Sequence, residues 1–276
     1  MAHLPGHIID FHVHLFPDRL FNSIWKFFST GYGWDVLYKL YYRDCVSYLR
    51  SHGVSSIVYS NYAHRKGIAK ILNEWNHRIL DEIPDLYCFA AFHPDDDDAL
   101  DIALKALEHP RVLGFKLQLL VQRFYPHDER LFPMYECVIK KHKRILLHVG
   151  TGPVGNEFVG LTHFKKLMSA FPELPVIVAH MGALEYDGFI GLLDEYPNLY
   201  FDTAFTFYPR YNTHLTITPE LLERYSDRIV YGSDFPNLIF PREEEIDCLL
   251  GYNLQQIFYD RVFYENGAGL IERHSG

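Results

Sequence analysis

The sequence predicts an α/β chain closed as a (β/α)₈ barrel, and three observations predict it. Short apolar runs alternate with longer amphipathic stretches, eight times along the chain. The 276 residues match the roughly 250 of one such barrel and suffice to bury most of the surface in one core. The rival is a doubly wound open sheet, but no Gly-x-Gly-x-x-Gly follows the first run, which weakens its dinucleotide-binding version.

The expected strands are Ile8–Val13, Ser55–Ser60, Leu86–Phe92, Val112–Gln118, Ile145–Val149, Val176–His180, Leu199–Thr203 and Ile229–Gly232. Their short, near-continuous apolar character is that of parallel strands covered on both faces. The expected helices are Asp44–Ser51, Ile68–Leu80, Ala99–Leu107, Leu131–Lys141, Phe164–Phe171, Gly188–Glu195, Pro219–Tyr225 and Pro241–Leu250, with short closing helices from Asn253. Several start after Ser, Thr, Asp or Pro, as helices do. Residues 1–276 therefore read as one barrel domain. An aromatic-rich insertion at about 16–42 follows the first strand and reads equally as a lid or as an extra helix packed on the barrel.

Hydrophobic residues make up 48% and charged residues 22%, an ordinary globular balance. The net charge of -9 shows no basic stripe for nucleic acid. Cys45, Cys88, Cys137 and Cys248 lie far apart with no Cys-x-x-Cys pair, which suits free thiols in a reducing compartment. The opening MAHLPGHIIDFHVH lacks the charged region and apolar core of a secretory signal, and no apolar run nears the ~20 residues of a membrane span. The expectation is a cytoplasmic protein that takes a small-molecule substrate, without nucleic acid or membrane as partner; a homo-oligomer stays open.

The chemistry concentrates at the strand ends. Residues two apart on a strand share a face, so Asp10, His12 and His14 are expected together inside the barrel, with Phe11 and Val13 outside. His-x-His alone is a weak motif. Polar residues also end three further apolar runs: His148 after Ile145–Leu147, His180 after Val176–Ala179, and Asp234 shortly after Ile229–Tyr231. In a barrel of this kind functional residues sit at that rim. His12, His14, His148 and Asp234 form a nitrogen and oxygen donor set for one divalent ion, Zn²⁺ first, with Mn²⁺, Fe²⁺ or Co²⁺ as alternatives. An open position on such an ion acidifies water, and Asp234 is then placed to take the proton. His180 reads as a ligand to a second metal or as a group polarising the substrate. Lys116 shares parity with Gly114 and Gln118 and should point inward, at a cost unless paired or neutral. It reads as a carboxylated bridge between two metals, as a substrate anchor or catalytic acid, or as half of a buried ion pair. His93, Arg65, Arg123 and Arg210 are candidates for substrate contact, the arginines because a guanidinium fork matches a carboxylate. The loop Thr151–Gly160 carries three glycines but no phosphate fingerprint.

At these residues the sequence resembles the amidohydrolase superfamily and, within it, the amidohydrolase-2 (amidohydrolase-related) family. The carrying segments are IIDFHVH, GFKLQ, FYPHDERLFPMYECVIKKHKRILLHVG, VIVAHMG, NLYFDTA, IVYGSDFP and ENGAGLI, in that order over nearly the whole chain. The resemblance implies a distorted TIM barrel. It matches His12, His14, His148 and Asp234 to mononuclear metal ligands, His180 to a catalytic orienting histidine, and Lys116 to a strand-four position that is a carboxylated bridge in some relatives. Gln118 departs from a histidine common in relatives, and His93 from a smaller polar residue. Such relatives hydrolyse lactones or amides, or decarboxylate or hydrate aromatic-derived acids. The first expectation is a metal-dependent hydrolase of a small carboxylated lactone, amide or ester. A non-oxidative decarboxylase of a hydroxy-aromatic or dienoic acid is the alternative, and a catalytically silent metal-binding barrel is the third. A TatD-like nuclease also uses His-x-His but is disfavoured by Lys116 and the acidic charge.

Overall fold

The computed structural model describes residues 3–208, 210 and 215–275. Eight parallel strands form one sheet in sequential order: β1 Ile8–His14, β2 Val54–Ser60, β3 Leu86–Ala91, β4 Val112–Gln118, β5 Arg144–His148, β6 Val176–Val178, β7 Leu199–Asp202 and β8 Ile229–Val230. The sheet closes where Phe11 N–H donates to Tyr231 O at 2.8 Å and His14 N–H to Phe235 O at 2.7 Å. Between the strands run α1 Asp18–Phe27, α2 Tyr42–Ser51, α3 Ala69–Glu82, α4 Ala99–Ala106, α5 Leu119–Gln122, α6 Phe132–Lys140, α7 Leu161–Ala170, α8 Tyr186–Ile190 and α9 Pro219–Arg224. After β8 come α10 Arg242–Gly251, α11 Gln256–Asp260 and α12 Asn266–Ser275. The expected (β/α)₈ barrel is the one observed.

The core has two layers. Ile57, Cys88, Phe115, Leu147, Val178 and Phe201 face outward into the layer between sheet and helices. Inside, each strand contributes to a second cluster, with Phe11, Val58, Phe89, Leu113, Leu146, Ile177, Tyr200 and Val230 packed together and Leu270 of α12 beneath them. The four cysteines are free thiols, with Cys45 and Cys88 buried. Among the described residues no helix is long and apolar enough to cross a membrane.

Simple alternation fails at two strands, for one reason. On β1 the register slips between Asp10 and Val13, so Phe11 and His12 both turn inward. Phe11 therefore belongs to the interior, contrary to expectation, and Asp10 points the other way from His12. There Asp10 accepts from Ser233 N at 3.0 Å and Ser233 Oγ at 2.6 Å, with Arg242 Nε 3.9 Å away. On β4 the register slips at Gly114, whose φ is +149°, so Leu113 joins the inner cluster and Lys116 still points inward. An extra residue in one strand flips the faces beyond it.

Strand six also stops early. His180 and Met181 adopt left-handed backbone at φ 57° and 50°, in a 3₁₀ turn from Ala179 to Gly182 rather than on the strand. The turn is pinned where His180 N–H donates to Asp202 Oδ1 at 2.8 Å.

The insertion after β1 is helical. Phe21 of α1 is buried against Phe16, and Leu20, Ile24 and Tyr62 pack on the same cluster. A π-helical turn, Phe28–Tyr32, continues α1 and ends at left-handed Gly33.

Candidate metal centre

The closure of β8 onto β1 brings His12, His14 and Asp234 together. His12 Nδ1 lies 2.9 Å from Asp202 Oδ2, and its Nε2 faces Asp234 Oδ1 at 3.5 Å. His14 Nδ1 lies 3.2 Å from Ser60 Oγ, and its Nε2 stands 3.0 Å from the same Asp234 oxygen. His12 ties its Nδ1 to the end of β7 and His14 to the end of β2, and both turn Nε2 towards Asp234 Oδ1. A Nδ1–H donated to a carboxylate fixes the tautomer and leaves Nε2 as the donor. Gly232 makes room for this, because a Cβ there would stand 2.6 Å from the His12 Cβ.

These donor atoms fit a divalent ion. They lie within 4.8 Å of one another. Ligands sharing an ion at about 2.1 Å stand roughly 3.0–3.4 Å apart, close to the separations observed. A second group of potential ligands, His12, His180 and Asp202, shares His12. Its carboxylate already bonds directly to the His12 ring, so it accounts for how His12 is held without a second ion.

His148 lies beside this trio rather than within it. Its Nε2 lies 2.9 Å from Gly152 O, leaving Nδ1 at 3.1 Å from His180 Nε2 and 3.1 Å from Gln118 Nε2. His180 in turn donates Nδ1–H to Ala204 O at 2.8 Å. Two ring nitrogens without their own hydrogens thus face each other, an arrangement that attracts a cation or a proton.

The electrostatics keep the donors in binding form. Burial, then the Lys116 ammonium, hold the His12 imidazole well below its ordinary pKa. Burial, then His180 and Lys116, do the same to His148. Neutral imidazole is the form that ligates. Burial works to raise the Asp234 carboxyl, but the imidazoles of His14, His12 and His180 around it outweigh burial and leave the carboxyl well below its usual range. Lys116 is fully buried, with Nζ 3.1 Å from His12 Nε2, and burial brings its pKa down to about 8 against the pull of Asp202 and Asp234.

Above this floor opens a cavity walled by aromatic rings. His14, His148, His180 and Asp234 face it, and Phe28, Tyr32, Trp34, Tyr62 and Phe205 form much of its wall. Trp34 stacks on Phe205 at 5.6 Å and 2°, and Phe28 on Trp34 at 5.8 Å and 5°.

The residues expected to contact substrate do not line this cavity among the described residues. Arg65 is exposed on its loop. Arg123 reaches Glu157 at 3.6 Å, and Arg210 pairs with Glu244 at 3.1 Å. His93 is buried, turned onto the backbone N–H of Asp95 at 3.2 Å. Each side chain is engaged elsewhere or faces solvent, and the cavity wall holds no arginine or lysine among the described residues. Conversely, Asp202 is a site residue that strand-end reasoning passes over, although it closes the apolar run Leu199–Phe201 just as His148 closes its own.

Asp202 supports a prediction that needs no substrate. Asp202→Ala should weaken metal binding by roughly 10–100-fold, the range for losing a carboxylate that orients a ligating histidine. Competition against a chelator measures it; unchanged affinity would show that His12 needs no such support.

No curated protein matches the chain. Among solved structures, it is similar to an uncharacterised TIM-barrel protein from Bordetella bronchiseptica, with 16% identity, 98% of this chain and 100% of that one covered, and TM-score 0.73. It is also similar to a probable 2-pyrone-4,6-dicarboxylic acid hydrolase from Acinetobacter baumannii with citric acid bound, with 13% identity, 96% and 99% coverage, and TM-score 0.67. A third is 5-carboxyvanillate decarboxylase from Novosphingobium aromaticivorans, complexed with manganese and 4-hydroxy-3-methoxy-5-nitrobenzoic acid, with 12% identity, 96% of each chain covered and TM-score 0.69. At these identities the likeness is one of fold. Membership rests on the family model described as amidohydrolase, which matches residues 9–268, and this chain belongs to that amidohydrolase-2 family.

Proposed function

We propose that this chain is a metal-dependent hydrolase of a small lactone, amide or ester, with Asp234 as general base. The observation that carries the reading is the Asp234 carboxylate beside the Nε2 atoms of His12 and His14 at the floor of the cavity. His12, His14 and Asp234 would hold one divalent ion, Zn²⁺ first by donor type, with His148 Nδ1 turned towards the same space. Such an ion supplies Lewis acidity to a carbonyl and lowers the pKa of water.

Asp234, ionised at neutral pH, takes the proton of the attacking water. His180 holds Nε2 towards the cavity by donating Nδ1–H to Ala204, and so orients water or a substrate oxygen. Lys116 lies too deep to touch substrate. Its charge balances Asp202 and Asp234 from below. The aromatic insertion acts as a lid, with Phe28, Tyr32 and Trp34 as its inner face. Among the described residues the wall holds no cationic side chain, which favours a substrate whose portion away from the ion is uncharged.

The same wall favours a second reading, non-oxidative decarboxylation of a hydroxy-aromatic acid. The near-parallel Trp34 and Phe205 rings suit a flat ring. Metal-loaded protein is assayed against a lactone, amide and ester panel and, separately, for CO₂ release from hydroxybenzoates without oxygen. Turnover only in the first assay supports the hydrolase; CO₂ release alone replaces it with the decarboxylase. Metal analysis should give about one equivalent per chain. About two would make Lys116 a carboxylated bridge.

On either reaction Trp34→Ala should raise KM by about tenfold with kcat little changed, since a stacked indole contributes uniform binding. Steady-state kinetics check this; a fall in kcat at constant KM would place Trp34 in the chemistry instead.

A further inference from the structure

A second cavity lies under α1, beside the one just described. Phe16, Leu20, Ile24 and Phe27 line it from the insertion, with Ser23 and His64 at its edge. Phe27, Tyr62 and Val121 line both cavities. These side chains are therefore the partition between the two spaces, and Tyr62 also sets its ring edge-on against His14 at 6.0 Å. Among the described residues the second cavity has no carboxylate, lysine or arginine in its wall. Its one ionisable imidazole, His64, is held below its ordinary pKa by burial and then by Arg65. Phe27 stands 47% exposed, so the partition is reached from solvent.

We propose that this space is a subsite for the apolar tail of the substrate: an aliphatic chain or second ring that passes Phe27, Tyr62 and Val121 while the reacting group sits at His14 and Asp234. The inference rests on the metal-site reading for where the reacting group lies, and on the shared wall for where the rest goes. An uncharged, apolar occupant is the one such a lining admits without desolvating a charge. The wall the two spaces share, Phe27, Tyr62 and Val121, ties that occupant to the substrate.

The test uses alkyl hydroxamates of increasing length, measured by calorimetry on metal-loaded and metal-stripped protein. Affinity should rise roughly two- to fourfold per added methylene once the chain passes the partition. The offset between loaded and stripped protein reports the metal; the slope with chain length reports the subsite. A slope retained without the offset would keep the subsite and overturn the metal reading. A flat series in both forms would overturn the subsite alone. Ser23→Trp, at the exposed edge of the cavity, should flatten the slope for long chains while leaving acetohydroxamate binding unchanged. Ile24→Ala, which enlarges the space, should move the optimum to a longer chain. A slope that both variants leave intact would place the tail elsewhere and refute the assignment.

Discussion

Asp234→Asn is expected to lower kcat by about three orders of magnitude, within the range for loss of a general base. Metal content should fall only in part. Asparagine keeps a carbonyl oxygen that can face the ion beside His14 Nε2, where Asp234 Oδ1 now sits at 3.0 Å. Its amide has no lone pair basic enough to take a proton from water, and about 4 kcal/mol of barrier follows from a thousandfold loss. The backbone should not suffer, because Asp234 has φ 62°, a left-handed conformation that Asn adopts as readily as Asp. Kinetics on the best substrate of the panel, metal analysis and a thermal melt are read together. Near-wild-type turnover would remove Asp234 from the role of base. A collapsed melting temperature would instead show that the carboxylate is needed to hold β8 against β1.

Much of this site is legible in the sequence because buried parallel strands advertise themselves. Runs such as Ile145–Leu147 are apolar on both faces, so a histidine closing one stands out. Four strand ends of that kind, in barrel order, point to His12, His14, His148, His180 and Asp234 at one rim. What alternation does not carry is an extra residue in a strand. Nothing in Asp10-Phe11-His12 marks the slip that sends Phe11 inward with His12 and Asp10 outward to Ser233. Partner choice over long sequence distances is equally hidden. Arg210 matches a carboxylate in principle, but the carboxylate that meets it is Glu244 on α10. The aromatic insertion shows its composition plainly, yet only the fold shows that Trp34 meets Phe205 from the loop after β7. His180 follows its apolar run but does not lie on the strand: β6 stops at Val178, and Asp202 then captures the next turn.

Gly114→Ala should be the most damaging single methyl in the barrel. At φ +149° the backbone of Gly114 lies in a region that L residues avoid, at a cost of about 1–3 kcal/mol. A Cβ there would collide with the Arg144 carbonyl of β5 and stand 2.8 Å from the Arg144 nitrogen. The neighbour is backbone within a paired strand, so no side chain can swing aside. Overpacking of that kind adds roughly 1–3 kcal/mol. For a chain this long the sum corresponds to a melting temperature lower by on the order of 10 °C. The consequence for the site is more specific than instability. Gly114 is where β4 slips, and the slip is what lets Leu113 fill the lower interior while Lys116 reaches His12 Nε2 at 3.1 Å. If the strand escapes the clash by losing the slip, the faces beyond it exchange and Lys116 turns towards the helices. Gly114→Ala protein that still folds should therefore lose the cationic neighbour of His12, and its metal affinity should change along with its stability. A differential scanning measurement paired with chelator competition separates the outcomes. A variant that melts like the wild type would mean that β4 accommodates the methyl without strain, contrary to the close approach of β5.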